Sequence, residues 1–330
     1  MHDYALIVNR IQVGVLGASG YAGRELCALL VRHPYFELAF ATANEQRGQS
    51  VQLGREQLTY IATDDAPLAH ADIVFSALPH GTSLPWVERA RNAGARVVDL
   101  SNDLRPGNGG SIAAAYGMPE LNAESRGAIR SADIVANPGC YPTSILLALL
   151  PYVSRGLVAD AGTIIANSAS GVSGAGNSPK RELLFAEVSD DYRAYGVGNT
   201  HRHLKEMSAT LASAGSTADL VFTPHLLPVS RGILSSITIP LASALADPLA
   251  PLHEAYGDEP FVEVVAEQPT LASVVRRNVV RITATPIAGT KLPHILVTSA
   301  IDNLVKGAAG QAIQNANIMC RVDECAGLPA

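Results

Sequence analysis

Arg10-Ile11-Gln12-Val13-Gly14-Val15-Leu16-Gly17-Ala18-Ser19-Gly20-Tyr21-Ala22-Gly23 runs into a partly apolar stretch that continues to Arg32. Residues 10–16 read as a buried strand and residues 24–32 as a helix, with glycines in the turn between them. That order is the context a dinucleotide-binding turn requires. Glycine lets the backbone come close to a pyrophosphate, whose charge then rests on the helix N-terminus. The spacing is G-x-x-G-x-x-G rather than G-x-G-x-x-G, so the flanking elements carry the assignment. Gly17, Ala18, Ser19, Gly20, Tyr21 and Ala22 form the expected cofactor cradle.

Downstream, Phe36–Ala41 reads as a second strand, and the residues after it bear on the nucleotide. A site for NAD places an acidic side chain there, on the ribose 2′-OH. Here Thr42-Ala43-Asn44 follows, with Arg47 close behind. A hydroxyl, an amide and a guanidinium suit a 2′-phosphate better, so NADP(H) is expected, with Thr42 and Arg47 as contacts, against the single counter-signal of Glu45. Residues 71–81 read as a third strand ending in Leu78-Pro79-His80-Gly81, residues 83–93 as a helix and residues 96–100 as a strand. This alternation predicts a doubly wound parallel sheet, with ligands at the C-terminal edge of its strands. His80 reads as an exposed turn residue. Asp99–Pro106 leaves a strand at the same edge, and Arg105 offers a rigid fork of donors for phosphate or carboxylate.

Val135-Ala136-Asn137-Pro138-Gly139-Cys140-Tyr141-Pro142-Thr143 brings a second kind of chemistry. An apolar segment ends in an Asn-Pro-Gly turn that delivers one cysteine to the start of an apolar helix, read as residues 144–153. A core cysteine needs no turn to aim it. At a helix N-terminus, unpaired N–H groups and the dipole favour the thiolate, so a pKa below that of free cysteine is expected. Cys140 is the candidate nucleophile.

Beyond it, residues 162–166 read as a strand and residues 167–177, rich in small and hydroxyl side chains, as a ligand loop. Thr200-His201-Arg202-His203 opens a helix continuing to about Ala214. Two histidines two apart on a helix point different ways, so one can serve a thiol as acid/base partner. Metal binding by the pair lacks a third ligand. Residues 220–224, 232–239, 279–284 and 295–300 alternate polar and apolar side chains, which predicts a second, mostly antiparallel sheet. Residues 301–310 lead into a last helix, to about Met319, packed against the nucleotide half.

Composition narrows the function classes. With 48% hydrophobic and 16% charged residues and a net charge of −6, the 330-residue chain has no basic run for nucleic acid or anionic membrane. Met1–Tyr4 lacks a basic region followed by a long apolar stretch, so a secretory signal is not expected, and no apolar run reaches membrane-spanning length. Four scattered cysteines make no disulfide framework, and Cys320 with Cys325 is a weak metal pair. A reduced, cytoplasmic protein without a metal is expected.

The chain resembles the N-acetyl-gamma-glutamyl-phosphate reductase family, related to aspartate-semialdehyde dehydrogenases. The resemblance rests on Gly17–Gly23, Asp99–Arg105, Tyr116–Glu120, Asn137–Thr143, Ser170–Gly176 and His201–His203. Phe222–Leu226 with Ser230–Gly232, and Ile301–Gln311, extend it over almost the whole chain. It implies an NADP(H)-dependent acyl-phosphate reductase in which Cys140 forms a thioester and His203 is the acid/base, with His201 as runner-up or substrate contact. Arg105 with Asn102, and Ser170, would hold substrate. Ser76, Pro79, Ser168, Gly171, Ser173, Gly174 and Asn303 would join the cofactor set. The division implied is a Rossmann domain over residues 1–139, completed by residues 303–330, and an α+β catalytic and dimerisation domain over residues 140–302. Inorganic phosphate is the expected co-product, and a homo-oligomer, dimer or tetramer, the expected assembly. Asn167–Ser170, Asn177, Leu204-Lys205 and residues 271–293 depart from the family pattern, which touches the outer substrate contacts. Reductases of carrier-linked aminoadipyl phosphate or aspartyl phosphate, and a non-catalytic nucleotide sensor, are the alternatives.

Overall fold

The computed structural model describes residues 10–110 and 112–329. The reading of Met1–Tyr4 and the outer limits of the domain division lie outside the described residues. The first half contains β1 (Ile11–Leu16), α1 (Tyr21–Leu30), β2 (Phe36–Ala41), β3 (Ser50–Leu53), β4 (Glu56–Thr59), β5 (Ile73–Ser76), α2 (Leu84–Asn92), β6 (Arg96–Asp99), β7 (Ala115–Tyr116), α3 (Ser125–Ser131) and β8 (Ile134–Ala136). The second half contains α4 (Cys140–Val153), β9 (Thr163–Gly171), α5 (Phe185–Val188), β10 (Arg193–Ala194), α6 (His203–Ser213), β11 (Asp219–Leu227), β12 (Ile233–Pro240), α7 (Ala250–Tyr256), β13 (Val262–Val264), β14 (Val280–Pro286), β15 (His294–Ile301) and α8 (Gly310–Cys320).

The first sheet runs β2-β1-β5-β6-β8-β7, with every pairing parallel. Both its faces are covered. Val13, Val15 and Phe75 pack with Leu26 of α1 and Ile313 of α8, while Leu16, Val74 and Val97 pack on the other side with Val87 and Ala90 of α2. This is the doubly wound arrangement, with the C-terminal helix closing one layer.

The second sheet runs β10-β11-β9-β12-β15-β14-β13. It is mostly antiparallel; β9–β11 and β13–β14 are its parallel pairs. One expectation is corrected here. Asn167–Gly171 is not loop but the end of β9, paired with Thr223–Leu227 on one side and, for Asn167–Ser170, with Ile233–Ser236 on the other. Small hydroxyl residues resemble a loop in sequence, yet two neighbouring strands satisfy their backbone. Ser168 reaches the core because its Oγ meets Ser235 Oγ at 2.8 Å, which in turn meets Ser144 Oγ at 2.8 Å.

Helix α4 is the centre of this half. Every residue from Tyr141 to Val153 is buried, and a helix apolar all round belongs inside a protein. It begins at Cys140 itself, four residues earlier than the apolar run suggests, with Gly139 as N-cap. Pro142 falls in the first turn, where its missing N–H costs nothing. Pro151 leaves the Leu147 carbonyl without its helical donor, and the Tyr256 hydroxyl donates to that oxygen instead, at 2.8 Å.

Between β15 and α8 the chain makes a π-turn, Val305–Ala309, which packs on α1, α4 and β15. From it Lys306 enters the core with no exposed surface and donates to Glu120 Oε1 at 2.7 Å and Gln314 Oε1 at 2.8 Å. Glu120 is equally buried, so each charge needs the other. Lys306→Met is expected to lower stability to urea by about 3–5 kcal/mol, and Lys306→Met/Glu120→Met to recover most of that loss, because only the single variant strands a buried charge.

Candidate active site

The glycine turn sits at the C-terminal edge of the first sheet. Gly17 has φ +76°, and a side chain there would meet the Ala77 carbonyl oxygen at 2.6 Å, so β1 and β5 can exit side by side only past a glycine. A side chain on Gly23 would meet Gly17 O at 2.4 Å, whereas one on Gly20, the N-cap of α1, would come no nearer than 3.7 Å, to Gly17 O. Open backbone facing a cleft at a helix N-terminus fits a pyrophosphate.

That cleft, about 420 Å³, is lined by Gly17, Ser19, Gly20, Tyr21, Ala22 and Gly23 from the turn and by Leu78, Pro79 and His80 from the end of β5. Arg105, Gly139, Cys140 and His203 line its far end, and Ser173, Gly174 and Asn303 its roof. Asn303 Nδ2 donates to Ser173 Oγ at 3.0 Å, its Oδ1 accepts from the Gly232 N–H at 2.7 Å, and Asn177 Nδ2 reaches back to Ser19 O at 2.9 Å. A larger cavity, about 990 Å³, lies elsewhere, at the starts of β1, β2 and β6, and is lined by neither the glycine turn nor Cys140.

Several expected contacts lie outside the cleft lining. Ala18 is buried and donates its N–H to Thr42 O at 2.8 Å. The Thr42 hydroxyl is buried against Gly17 N (3.3 Å) and Thr63 Oγ1 (3.1 Å), so it props the turn from behind. Ser76 is buried with its Oγ 2.6 Å from Ser83 Oγ, which donates to Asp99. Arg47 is exposed near the β2 end and does not line the cleft. Ser168 belongs to the serine cluster under α4. These corrections share a cause: sequence position places a residue near an edge but does not say which way its side chain is tied.

Around Cys140 the geometry is tight. Arg105 is 5% exposed and bridges two turns, donating from Nε to Asn137 O at 2.8 Å and from Nη2 to Leu100 O at 2.7 Å. Its Nη1 lies 3.4 Å from His203 Nε2 and 3.5 Å from Glu206 Oε2. Asn102 donates its N–H to His80 Nδ1 at 2.8 Å, and its buried Oδ1 has no partner among the described residues. A side chain on Gly307 of the π-turn would meet Cys140 Cβ at 2.8 Å, so the bare glycine backs the nucleophile. π-turns recur at functional sites.

The two histidines do not diverge on one helix, because His201 precedes α6 and only His203 lies on it. Their rings are 4.9 Å apart, and the His201 Nδ1 accepts the His203 N–H at 3.2 Å. Burial, helped by Arg105, His201, Arg202 and His80, holds His203 well below the ordinary histidine value, so it is neutral and able to accept a proton. Burial and Arg202 bring His201 down to about 4. His80, read as a plain turn residue, lines the cleft and is brought to about 4 by burial, Arg202 and Arg105.

The thiol departs from expectation. Burial pushes Cys140 above its ordinary value; Arg105, Arg202 and the backbone at Tyr141 pull it down, and Glu206 pushes it up again. The helix N-terminus acts as expected, but the loss of water outweighs it. The thiol is therefore protonated at rest and must pass its proton to a neighbour.

A second cavity of about 430 Å³ adjoins the first across Gly174, Ala175 and Arg202. Ser170, Gly171, Lys180, Arg193, Tyr195 and His201 line it. The Tyr195 hydroxyl meets that of Tyr141, next to the nucleophile, at 2.8 Å. Sequence reasoning passed over Arg202, Tyr195 and Glu206. The signal for Glu206 was available: His203, Glu206, Met207, Thr210 and Leu211 are the buried stripe of α6 at helical spacing, and an acidic residue on such a stripe needs a partner. Gly139→Ala is expected to lower kcat about 100-fold with cofactor affinity kept, because its Cβ would lie 2.7 Å from His203 Nε2 and 2.9 Å from Arg105 Nη1. Steady-state kinetics beside cofactor titration checks this.

Comparison with known proteins extends the picture. Residues 12–129 match the family model of the semialdehyde dehydrogenase NAD binding domain, and residues 140–303 that of the semialdehyde dehydrogenase dimerisation domain. The N-acetyl-gamma-glutamyl-phosphate reductase of Magnetococcus marinus is 42% identical, over 96% of this chain and 97% of its own length. That of Pelobacter propionicus is 39% identical, over 96% and 98%. Among solved structures, aspartate semialdehyde dehydrogenase II of Vibrio cholerae, complexed with ASA, has the same fold at a TM-score of 0.75 and 19% identity, covering 94% of this chain and 98% of that one. The Candida albicans aspartate semialdehyde dehydrogenase with NADP gives 0.72 and 16%, covering 94% and 99%.

Proposed function

The chain belongs to the N-acetyl-gamma-glutamyl-phosphate reductase family, and we propose that it reduces N-acetyl-gamma-glutamyl phosphate to N-acetylglutamate 5-semialdehyde, releasing inorganic phosphate, in arginine biosynthesis. It is an oxidoreductase that uses a nicotinamide dinucleotide. The observation that carries the reading is the convergence of Cys140, His203 and Arg105 on the same cleft that the glycine turn lines.

The residues divide the work as follows. Neutral His203 takes the thiol proton, and the sulfur attacks the acyl-phosphate carbonyl; the C–S bond forms as the C–O bond to phosphate breaks. Arg105, fixed by two backbone carbonyls, steadies the leaving phosphate or the carbonyl oxygen without having to reorganise. A nicotinamide dinucleotide held in the cleft would supply the hydride that reduces the thioester. His203 then returns a proton as the C–S bond breaks and the aldehyde leaves. Gly17–Ala22, Pro79, Ser173, Gly174 and Asn303 would hold the dinucleotide, although Ala18 would do so only by shaping the turn. The remote end of the substrate, with its carboxylate, fits the second cavity, where Arg202, Lys180, Ser170 and His201 offer charge and hydrogen bonds.

NADP(H) is the proposed nucleotide. Support comes from the absence of an acid on the β2 exit, Thr42-Ala43-Asn44, and from exposed Arg24 and Arg47 nearby; Arg24 Nη2 lies 3.3 Å from Gln46 Oε1. A homo-oligomer is supported by the dimerisation-domain match and by apolar groups exposed on that half, among them Phe185 (84%), Leu184, Tyr192 and Val197. Among the described residues no helix is long and apolar enough to cross a membrane, and the cytoplasm is the proposed location. The proposed division is residues 1–139 with 303–330 for nucleotide, and 140–302 for catalysis and assembly.

The test is phosphate-dependent reduction of NADP by the protein given N-acetylglutamate semialdehyde or aspartate semialdehyde, with NAD in parallel. Activity is expected on the acetylated substrate, with NADP favoured. Cys140→Ser is expected to abolish it and spare cofactor binding, and His203→Asn to lower kcat far more than cofactor affinity. Substantial activity in Cys140→Ser would remove the thioester from the account.

A further inference from the structure

Glu206 is wholly buried, yet it is not needed for any step above. Its Oε1 accepts from the Gly139 N–H at 2.9 Å and from the Tyr116 hydroxyl at 2.8 Å, and its Oε2 lies 3.5 Å from Arg105 Nη1. One carboxylate thus ties together the N-cap of the nucleophile's helix, the anion-binding arginine, and β7 of the first sheet. It lies in the first turn of α6, where the helix dipole favours negative charge. His203 and Glu206 are three apart on that helix, so the imidazole and this carboxylate flank Arg105 from the same face.

We propose that Glu206 is a positioning residue, acting through Gly139 and Arg105, that aims the nucleophile's turn and offsets the Arg105 charge beside it. The proposal rests on the reading of Cys140 as nucleophile and Arg105 as anion clamp. Its logic is electrostatic. Arg105 and Arg202 draw the thiol toward ionisation, against its burial. A fixed carboxylate beside Arg105 offsets part of that charge, so the sulfur keeps its proton until His203 takes it.

The charged and titratable groups facing this centre are known from each element packed on it. Arg105 comes from the exit of β6 and His80 from that of β5. Tyr116 comes from β7 and Tyr141 from α4. His201, Arg202 and His203 come from the start of α6, and Tyr195 follows β10. The acidic groups are Glu206, buried Asp99 at the end of β6, which also acts on Arg105, and Asp103 beside His80; burial pushes the Glu206 carboxyl up while Arg105, the Gly139 N–H and the Tyr116 hydroxyl hold it down.

The experiment compares wild type, Glu206→Gln and Glu206→Asp by two readouts: the pH midpoint of Cys140 alkylation by iodoacetamide, and kcat in the phosphate-dependent assay. Glu206→Gln keeps the shape and an acceptor for Gly139 but removes the charge. Its alkylation midpoint is expected to move to lower pH, making the thiol more reactive toward iodoacetamide at neutral pH, while kcat falls about 10- to 100-fold as Arg105 loses its partner. Glu206→Asp keeps the charge and loses reach, so its midpoint stays nearer wild type while kcat falls. A midpoint unchanged in Glu206→Gln, or moved to higher pH, would show that Glu206 sets no charge at the thiol and would overturn the proposal. Should Glu206→Gln not fold, the Asp variant and Tyr116→Phe carry the test: both must lower kcat at a near-constant midpoint, and unchanged kcat in both overturns it. Failure of the nucleophile reading is read separately, as turnover that survives complete alkylation of Cys140 in wild type.

Discussion

The structure depends on a buried helix that begins at a half-buried cysteine. Helix α4 is apolar on all sides, so it must lie between layers, and its N-terminal N–H groups cannot be left to water. The Glu206 carboxylate takes the Gly139 N–H, and Arg105 pins the turn before the helix by donating to Asn137 O and Leu100 O. The same answer assembles the active site. A glycine at position 139 leaves room for an imidazole and a guanidinium on one side, and a glycine at 307 backs the nucleophile on another. The catalytic groups meet where the helix can start.

This arrangement also explains why two halves are needed. The first sheet ends its strands at a common edge, and that edge carries the glycine turn, Arg105 and the nucleophile's turn. The second sheet supports α4 from beneath through the serine cluster of Ser144, Ser168, Ser235 and Ser299, and brings in the histidines by way of α6. The π-turn and Lys306 join the halves through a buried ion pair, and Asn137 Nδ2 adds a bond to Ala308 O at 3.2 Å. The low charge of the interior makes each such pair costly to break, so the relative placement of thiol and dinucleotide cleft is held firmly.

Much of this was readable in the sequence, and the gaps have physical reasons. Period and punctuation place β1, β2, β5 and β6 closely, because a parallel sheet covered on both faces leaves near-continuous apolar runs. Cys140, His203, Arg105 and the glycine turn reach one cleft because each sits at the end of a strand or the start of a helix. The end of β9 was hidden, since Asn167–Gly171 has loop composition and is made a strand by partners distant in sequence. Thr42, Ser76 and Ser168 point away from the cleft because their hydroxyls satisfy buried neighbours, a choice set by tertiary packing. The raised thiol shows two opposing effects, of which only the helix N-terminus is visible in a string of residues; burial is a property of the fold.

The central claim is that the acyl group passes through Cys140. The most direct measurement is mass spectrometry of the protein quenched in acid after mixing with N-acetyl-gamma-glutamyl phosphate without nicotinamide nucleotide, with released phosphate counted in the same sample. The account predicts a stoichiometric burst of phosphate and an acyl adduct on the peptide containing Cys140, labile to hydroxylamine as a thioester is. Absence of the burst, or an adduct on any other residue, would contradict it.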